Sequence, residues 1–130
     1  MRSHFITSTP TENLFDADQL MRFAHLRQMI IAQDGILVGL LTQRPMLEAR
    51  AMALWLRSEK DALEYLRMHS VREVMLPPPK GVEAKTSLGE AANQLLAQGI
   101  ACLPVVEPTT AGPRLIGLVT ESDLLKLAYR

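Results

Sequence analysis

The sequence predicts an α/β protein built from two copies of one β-α-β-β-α unit. Leu115–Leu125 is an apolar run with β-branched residues that passes at Thr120 into an acidic segment, the pattern of a buried strand entering a capped helix. The same pattern occurs at Leu37–Leu47, 78 positions earlier. A period of that length indicates a duplicated unit.

Composition narrows the classes of protein that the chain can represent. Its 130 residues suffice for one compact domain or for two small units that share a core. Because 14 basic residues balance 14 acidic ones, no net field recruits nucleic acid or an anionic membrane. No apolar run approaches the length of a membrane span, and the single cysteine excludes an internal disulfide. We therefore expect a soluble protein of the reducing cytoplasm, with no nucleic acid or membrane partner.

In the first copy, Phe5–Thr7 is a short strand candidate, and Asn13 precedes a helix. Met29–Ala32 and Ile36–Leu41 are predicted strands of a hairpin that turns at Asp34-Gly35. The apolar residues at helical spacing are Leu14, Ala17, Leu20, Met21 and Ala24.

A mostly helical segment from Met46 to His69 follows, with a break predicted near Ser58. Trp55 is interpreted either as core or as a contact with a second chain, and the residues do not decide between them. We assign residues 1–50 to the first copy, 51–70 to a helical linker and 71–130 to the second copy. Two apolar stripes are predicted in the helical segment, Leu47, Ala51, Leu54 and Trp55 in one and Leu63 and Leu66 in the other.

The second copy begins near Val71 and passes through three prolines that favour an extended segment. A helix capped by Ser87 is expected to end at Gly99. The other predicted elements are the strands Gly81–Glu83, Leu103–Val106 and Leu115–Thr120, the loop Glu107–Arg114 and the last helix Glu121–Tyr129.

The spacing between the copies is not constant. Equivalent helix residues lie 74 positions apart, Ile30 and Val105 lie 75 apart, and the last strands lie 78 apart. These steps predict that the first copy has lost one residue near Gln28, the counterpart of Pro104, and that the second copy has a longer loop.

Thr120 and Asp123 are the candidate binding residues. A helix start offers unpaired backbone N–H groups and a positive dipole end to an anion such as phosphate. The Thr120 hydroxyl can add a hydrogen bond, and the Asp123 carboxylate can accept two from a sugar diol. A capped turn that binds nothing explains the same residues.

Three ordered motifs of the second copy resemble a cystathionine-β-synthase (CBS) domain. They are Val-Arg-Glu-Val-Met before the prolines, Gly-Ile-Ala-Cys-Leu-Pro-Val-Val, and Leu-Ile-Gly-Leu-Val-Thr-Glu-Ser-Asp-Leu. With a weaker match in the first copy, the chain resembles a tandem CBS pair, or Bateman module. The resemblance implies two repeats packed through their sheets with pseudo-two-fold symmetry, and clefts between them for AMP, ADP, ATP or another adenosyl compound such as S-adenosylmethionine or NAD. It also implies regulation of a partner and pairing into homodimers.

The resemblance assigns roles to individual residues. Thr120 matches the phosphate-side hydroxyl, with Ser122 beside it, and Asp123 matches the ribose carboxylate. In the first copy Thr42 is kept but Pro45 replaces the carboxylate, which predicts a degenerate second site at Thr42 and Arg44. The adenine pocket is expected at Lys80, Gly81, Val82, Ala101, Cys102, Leu103 and Pro104.

Other candidate residues favour simpler interpretations. His4, His25 and His69 lack metal-ligand spacing, Asp16 and Asp18 are typical of a solvated helix face, and Cys102 is expected to be a small buried side chain. No glycine-rich phosphate loop, nucleophile elbow or His-Glu-x-x-His motif is present, so we expect no enzyme and no required cofactor or metal.

Two functions remain open at this point. The first is a regulatory module that binds an adenine nucleotide and is expected to act on an effector protein in trans. The second is a dimerisation or scaffolding module whose nucleotide sites have degenerated.

Overall fold

The computed structural model describes residues 5–56 and 58–128. His4 and Tyr129 lie outside this range, and the side chain of Leu54 is also outside the described part. The first repeat and the segment after it contain β1 (Thr7–Ser8), α1 (Leu14–Phe23), β2 (Gln28–Gln33), β3 (Ile36–Thr42), α2 (Arg44–Leu56) and α3 (Glu59–Met68). The second repeat contains α4 (Val71–Val74), α5 (Leu88–Gln98), β4 (Cys102–Thr109), β5 (Gly112–Thr120) and α6 (Glu121–Ala128).

Side chains cap the starts of three helices, one of them at the predicted Ser87, and α5 ends at the predicted Gly99. Asn13 accepts a hydrogen bond from the Asp16 N–H at 2.8 Å, and Ser87 caps α5 through the Glu90 N–H at 3.2 Å. Ser58 caps α3, which confirms the predicted break between two helices. Gly99 ends α5 in the left-handed conformation, with φ of 64°.

The strands form one five-stranded sheet in the order β1-β2-β3-β5-β4. Each repeat contributes an antiparallel hairpin, and the hairpins meet where Ile36 pairs with Arg114. This arrangement places the two repeats about a pseudo-two-fold axis between β3 and β5, so the predicted α/β fold of two packed repeats is confirmed.

The predicted loop Glu107–Arg114 is wrong, because these residues continue the hairpin. Pro108 pairs with Pro113 and Thr109 with Gly112, while the Thr109 hydroxyl donates a hydrogen bond to the Gly112 carbonyl at 2.6 Å. Prolines are tolerated at the end of a hairpin, where they remove few ladder hydrogen bonds. The second hairpin is therefore longer than the first, as the spacing predicted, but the additional residues form paired strands rather than a loop.

The predicted loss of a residue near Gln28 is also wrong. Ile30 pairs with Leu40 as Pro104 pairs with Leu118, and both repeats have a bulge one residue later. Ile30 thus occupies the position of Pro104, and the offset of 74 holds throughout β2 and β4. The parallel partners of β2 and β4 follow the same offset, because Ser8 pairs with Ile31 and Val82 with Val105. The predicted strand Gly81–Glu83 is reduced to this single bridge at Val82.

Helix α2 buries a different face from the predicted stripe. Leu47, Ala51 and Trp55 are exposed, whereas Met46 and Ala49 are buried. Trp55 is 89% exposed, so its interpretation as core is wrong.

The buried face of α2 packs near α3, whose Ala62 and Leu66 are buried, and α3 also packs against α1. Asp18 on α1 is likewise buried, 3.5 Å from Arg22, so its assignment to a solvated face is wrong. Burial raises the pKa of its carboxyl group despite the Arg22 charge.

Two apolar clusters form the interior. One combines the first repeat with Leu66 of α3 and Val71 of α4. The other combines β4, β5 and α5 with Ile30, Leu37 and Leu40 of the first repeat. The repeats therefore share a core. Within residues 5–56 and 58–128, no helix has both the length and the hydropathy needed to cross a bilayer.

Candidate functional site

Thr120 and Asp123 are bonded to each other across the first turn of α6. The Thr120 N–H donates to Asp123 Oδ2 at 3.0 Å, and the Asp123 N–H donates to Thr120 Oγ1 at 3.2 Å. Both residues are half-buried. A threonine hydroxyl can donate its own hydrogen while it accepts another, and a carboxylate can accept several hydrogen bonds. The pair is thus a helix cap made of groups that are able to bind a ligand.

A cavity of about 230 Å³ lies against Thr120, and we call it the Thr120 cavity. It joins the two repeats, because Thr120, Cys102 and Leu118 come from the second and the remaining lining residues from the first. Its lining is mostly apolar, as expected for a pocket that holds a flat ring. The residues of the first repeat that line it are Phe5, Ile6, Ala24, Leu26, Gln28, Met29 and Ile30.

A second cavity, of about 210 Å³, lies against Thr42 and is called the Thr42 cavity. Its lining is more polar and includes Arg27, Glu121 and Ala101. Arg27 and Glu121 form an ion pair between the repeats at 3.6 Å, with both side chains mostly exposed. The other lining residues are Gln28, Gly99 and Ile100.

Gln28 lines both cavities, and it was not among the predicted site residues. Its Oε1 accepts a hydrogen bond from the Ala101 N–H at 2.9 Å, which ties the start of β2 to the second repeat. An amide at the start of an otherwise apolar strand was the available signal in the sequence.

The residues predicted for the adenine pocket do not all line one cavity. Cys102 pairs with Thr120 across β4 and β5 and lines the Thr120 cavity, whereas Ala101 lines the Thr42 cavity. Lys80, Gly81, Val82, Leu103 and Pro104 line neither cavity.

The segment from Lys80 to Val82 follows β4. The Val82 N–H donates to the Pro104 carbonyl at 3.0 Å, and the Val106 N–H donates to the Val82 carbonyl at 2.8 Å. A Cβ at Gly81 would lie 2.8 Å from Val106 Cγ2, so glycine permits this close approach.

The remaining predicted site residues lie on the surface or have an unreactive side chain. Ser122 is exposed, and Arg44 points to Glu48, with 3.2 Å between Nε and Oε1. Burial raises the pKa of the Cys102 thiol to about 11, which keeps it protonated near neutral pH. Among the described residues no cluster of three or more His, Cys, Asp or Glu is arranged to hold a metal ion.

Comparisons with known proteins place this geometry in a family. A family model described as "CBS domain" matches residues 71–130. A CBS domain-containing protein of Dictyostelium discoideum is 35% identical over 104 residues, which are 80% of this chain and 70% of that protein.

Solved structures show the same fold. The crystal structure of CBSX2 in complex with AMP has a TM-score of 0.73 and 26% identity, with coverage of 96% of this chain and 87% of that one. Protein MJ1225 from Methanocaldococcus jannaschii has a TM-score of 0.80 and 24% identity, and covers 98% of this chain. The chain spans 45% of the length of MJ1225, and that likeness concerns the fold alone.

Proposed function

The chain belongs to the CBS domain family, whose proteins are typically regulatory modules, and from this premise we propose that it senses an adenosine-containing ligand. The ligand, AMP, ADP, ATP or another adenosyl compound, binds in a cleft between the two repeats. Its binding changes the activity of an effector protein in trans. The module itself carries out no chemical step and needs no cofactor.

The observation that carries this proposal is that Thr120, which is bonded to Asp123 across the first turn of α6, lines the Thr120 cavity. The base enters the mostly apolar cavity, and the ribose lies at its mouth beside Asp123. The phosphate meets the Thr120 hydroxyl at the start of α6, where the helix dipole favours an anion. The AMP complex of a relative with 26% identity supports an adenine nucleotide as the ligand class.

The size of the cavity indicates which part of the ligand it accepts. Pockets for drug-sized ligands usually measure about 300–1,000 Å³, and the Thr120 cavity measures about 230 Å³. A base therefore fits inside, with sugar and phosphate outside. The base pocket predicted at Lys80–Val82 and Leu103–Pro104 stays a prediction, and the geometry adds Phe5 and Ile6 as nearer candidates.

Calorimetric titration of the purified chain with AMP, ADP, ATP, S-adenosylmethionine and NAD tests the proposal. We expect saturable binding of at least one of them, with a raised unfolding midpoint, because a ligand that binds only the native state stabilises it. Absence of binding by all five would overturn the sensor function.

A specific surface favours the second function, dimerisation. An apolar groove of about 770 Å³ lies between α5 and α6, and Leu96 on its rim is 82% exposed. On the first repeat the equivalent helices pack against α3, so Leu14 is 0% exposed while its counterpart Leu88 is 51% exposed. We propose that a second copy of the chain covers the α5/α6 groove and forms a homodimer.

The proposed compartment remains the reducing cytoplasm. The support is the cysteine content, because the one cysteine of the sequence cannot form an internal disulfide.

A further inference from the structure

Gln98, the last residue of α5, holds the backbone of Lys80 with two hydrogen bonds. The Lys80 N–H donates to Gln98 Oε1 at 2.7 Å, and Gln98 Nε2 donates to the Lys80 carbonyl at 2.9 Å. The carboxamide thus offers an acceptor and a donor, side by side, to the main chain of Lys80. Adenine offers the same pair at one edge, where N1 accepts and the N6 amino group donates.

The equivalent position in the first repeat has no such side chain. The Leu26 N–H bonds to the Met21 carbonyl as the Ile100 N–H bonds to the Leu95 carbonyl, so the offset of 74 makes Ala24 the counterpart of Gln98. The strand register makes Ile6 the counterpart of Lys80. Both Ala24 and Ile6 line the Thr120 cavity. The Thr120 cavity therefore lies, in the first repeat, at the position where Gln98 bonds to the main chain of Lys80 in the second repeat.

The pseudo-symmetry extends to the threonines. The Thr120 cavity joins Thr120 to Leu26, Ile6 and Ala24. The Thr42 cavity joins Thr42 to Ile100, the counterpart of Leu26, but is lined by neither Lys80 nor Gln98. The Thr42 cavity thus includes the threonine end of the pocket and does not extend to Lys80 and Gln98.

We propose that Gln98 is an internal plug of the Thr42-side pocket, and that it restricts each chain to one ligand, bound on the Thr120 side. The proposal rests on the function proposed above. The plug acts together with Pro45, which stands where Asp123 stands in the other repeat, so the Thr42 side lacks both an open base position and a ribose carboxylate.

Titration with AMP on an Asp123→Ala background tests the plug, because the Thr120-side site is then disabled. We expect no binding by Asp123→Ala/Pro45→Asp, and a gain of saturable binding, near one AMP per chain, when Gln98→Ala is added. Binding by both variants or by neither would overturn the plug. Binding only by the Gln98→Ala form, from a wild type that binds nothing, would support the plug while refuting the function proposed for the Thr120 side.

The reciprocal variant Ala24→Gln tests the same idea without building a new site. A carboxamide introduced at this position is expected to bond the main chain near Ile6 and to lower AMP affinity at least about tenfold, with the unfolding midpoint retained. The matched control is Ala97→Gln, the same change at an exposed position of α5, which should leave AMP affinity unchanged. Unchanged AMP affinity in Ala24→Gln would contradict the proposal.

Discussion

The Gln28 side chain of the first repeat accepts a hydrogen bond from the Ala101 N–H of the second repeat, with 2.9 Å between Oε1 and N. Both residues are half-buried, and they connect the two cavities at the interface between the repeats. A backbone N–H at this position needs an acceptor, because an unsatisfied donor away from water costs free energy.

Gln28→Ala removes that acceptor, so we expect the free energy of unfolding to fall by about 1–2 kcal/mol. Urea denaturation measures the change. The matched control is Gln33→Ala at the exposed end of the same strand, which should change the free energy by less than about 0.5 kcal/mol. Equal effects of the two substitutions would show that the inter-repeat hydrogen bond does not stabilise the fold.

Asp123→Ala is expected to lower nucleotide affinity by at least about tenfold, because it removes the carboxylate proposed to bind ribose. Asp61→Ala is the matched control, since Asp61 is also the third residue of its helix, with its N–H on a hydroxyl cap. Calorimetric titration gives the affinities. Equal loss in both variants, or none in Asp123→Ala, would refute the ribose assignment.

Leu96→Glu places a charge on the exposed rim of the α5/α6 groove, and we expect it to convert the proposed dimer into a monomer at micromolar concentration. Burial of an unpaired carboxylate in an apolar interface is unfavourable. Leu47→Glu, at a 62% exposed position on α2, is the control and should leave the dimer intact. Sedimentation velocity distinguishes the two states. A wild-type monomer, or a dimer that Leu96→Glu leaves intact, would refute the assignment of this surface.

The raised pKa of the Cys102 thiol predicts that the stability of the protein depends on pH in the alkaline range. Burial raises its pKa from 9.0 to about 11, so above pH 9 the thiol ionises first in the unfolded chain. The contribution of the buried neutral thiol to the free energy of unfolding is therefore complete below pH 9 and is lost as pH rises toward 11. Relative to Cys102→Ala, the wild type should lose roughly 2 kcal/mol across this window. Urea denaturation of both proteins at several pH values measures the difference, and parallel curves would contradict the prediction.

Much of the fold was predictable because its signals are local. The Ser87 cap, the helix break near Ser58, the Asp34-Gly35 turn and Gly99 were visible in the sequence. The duplication was also visible, because it needs only comparison of the chain with itself. Thr120 and Asp123 were identified from the same local pattern of strand, cap and acidic first turn.

Other features depended on which segments meet in space. Both faces of α2 carry apolar residues, so periodicity could not show that Met46 would be buried and Trp55 exposed. Glu107–Arg114 was predicted as a loop, and only cross-strand pairing showed that these residues extend a hairpin. The offset between the repeats became uniform through β2 and β4 once the strand register was known.

The sequence by itself determined the two repeats, their elements and caps, and the threonine at each strand-to-helix turn, because hydrogen bonds within a turn and the periodicity of apolar residues are short-range properties. The tertiary structure decided that Thr120 shares a cavity with the first repeat, that α3 covers one helical surface and leaves its counterpart open, and that Gln98 bonds to Lys80. These contacts join residues far apart in the chain, and their geometry depends on how the packed elements meet rather than on any local pattern.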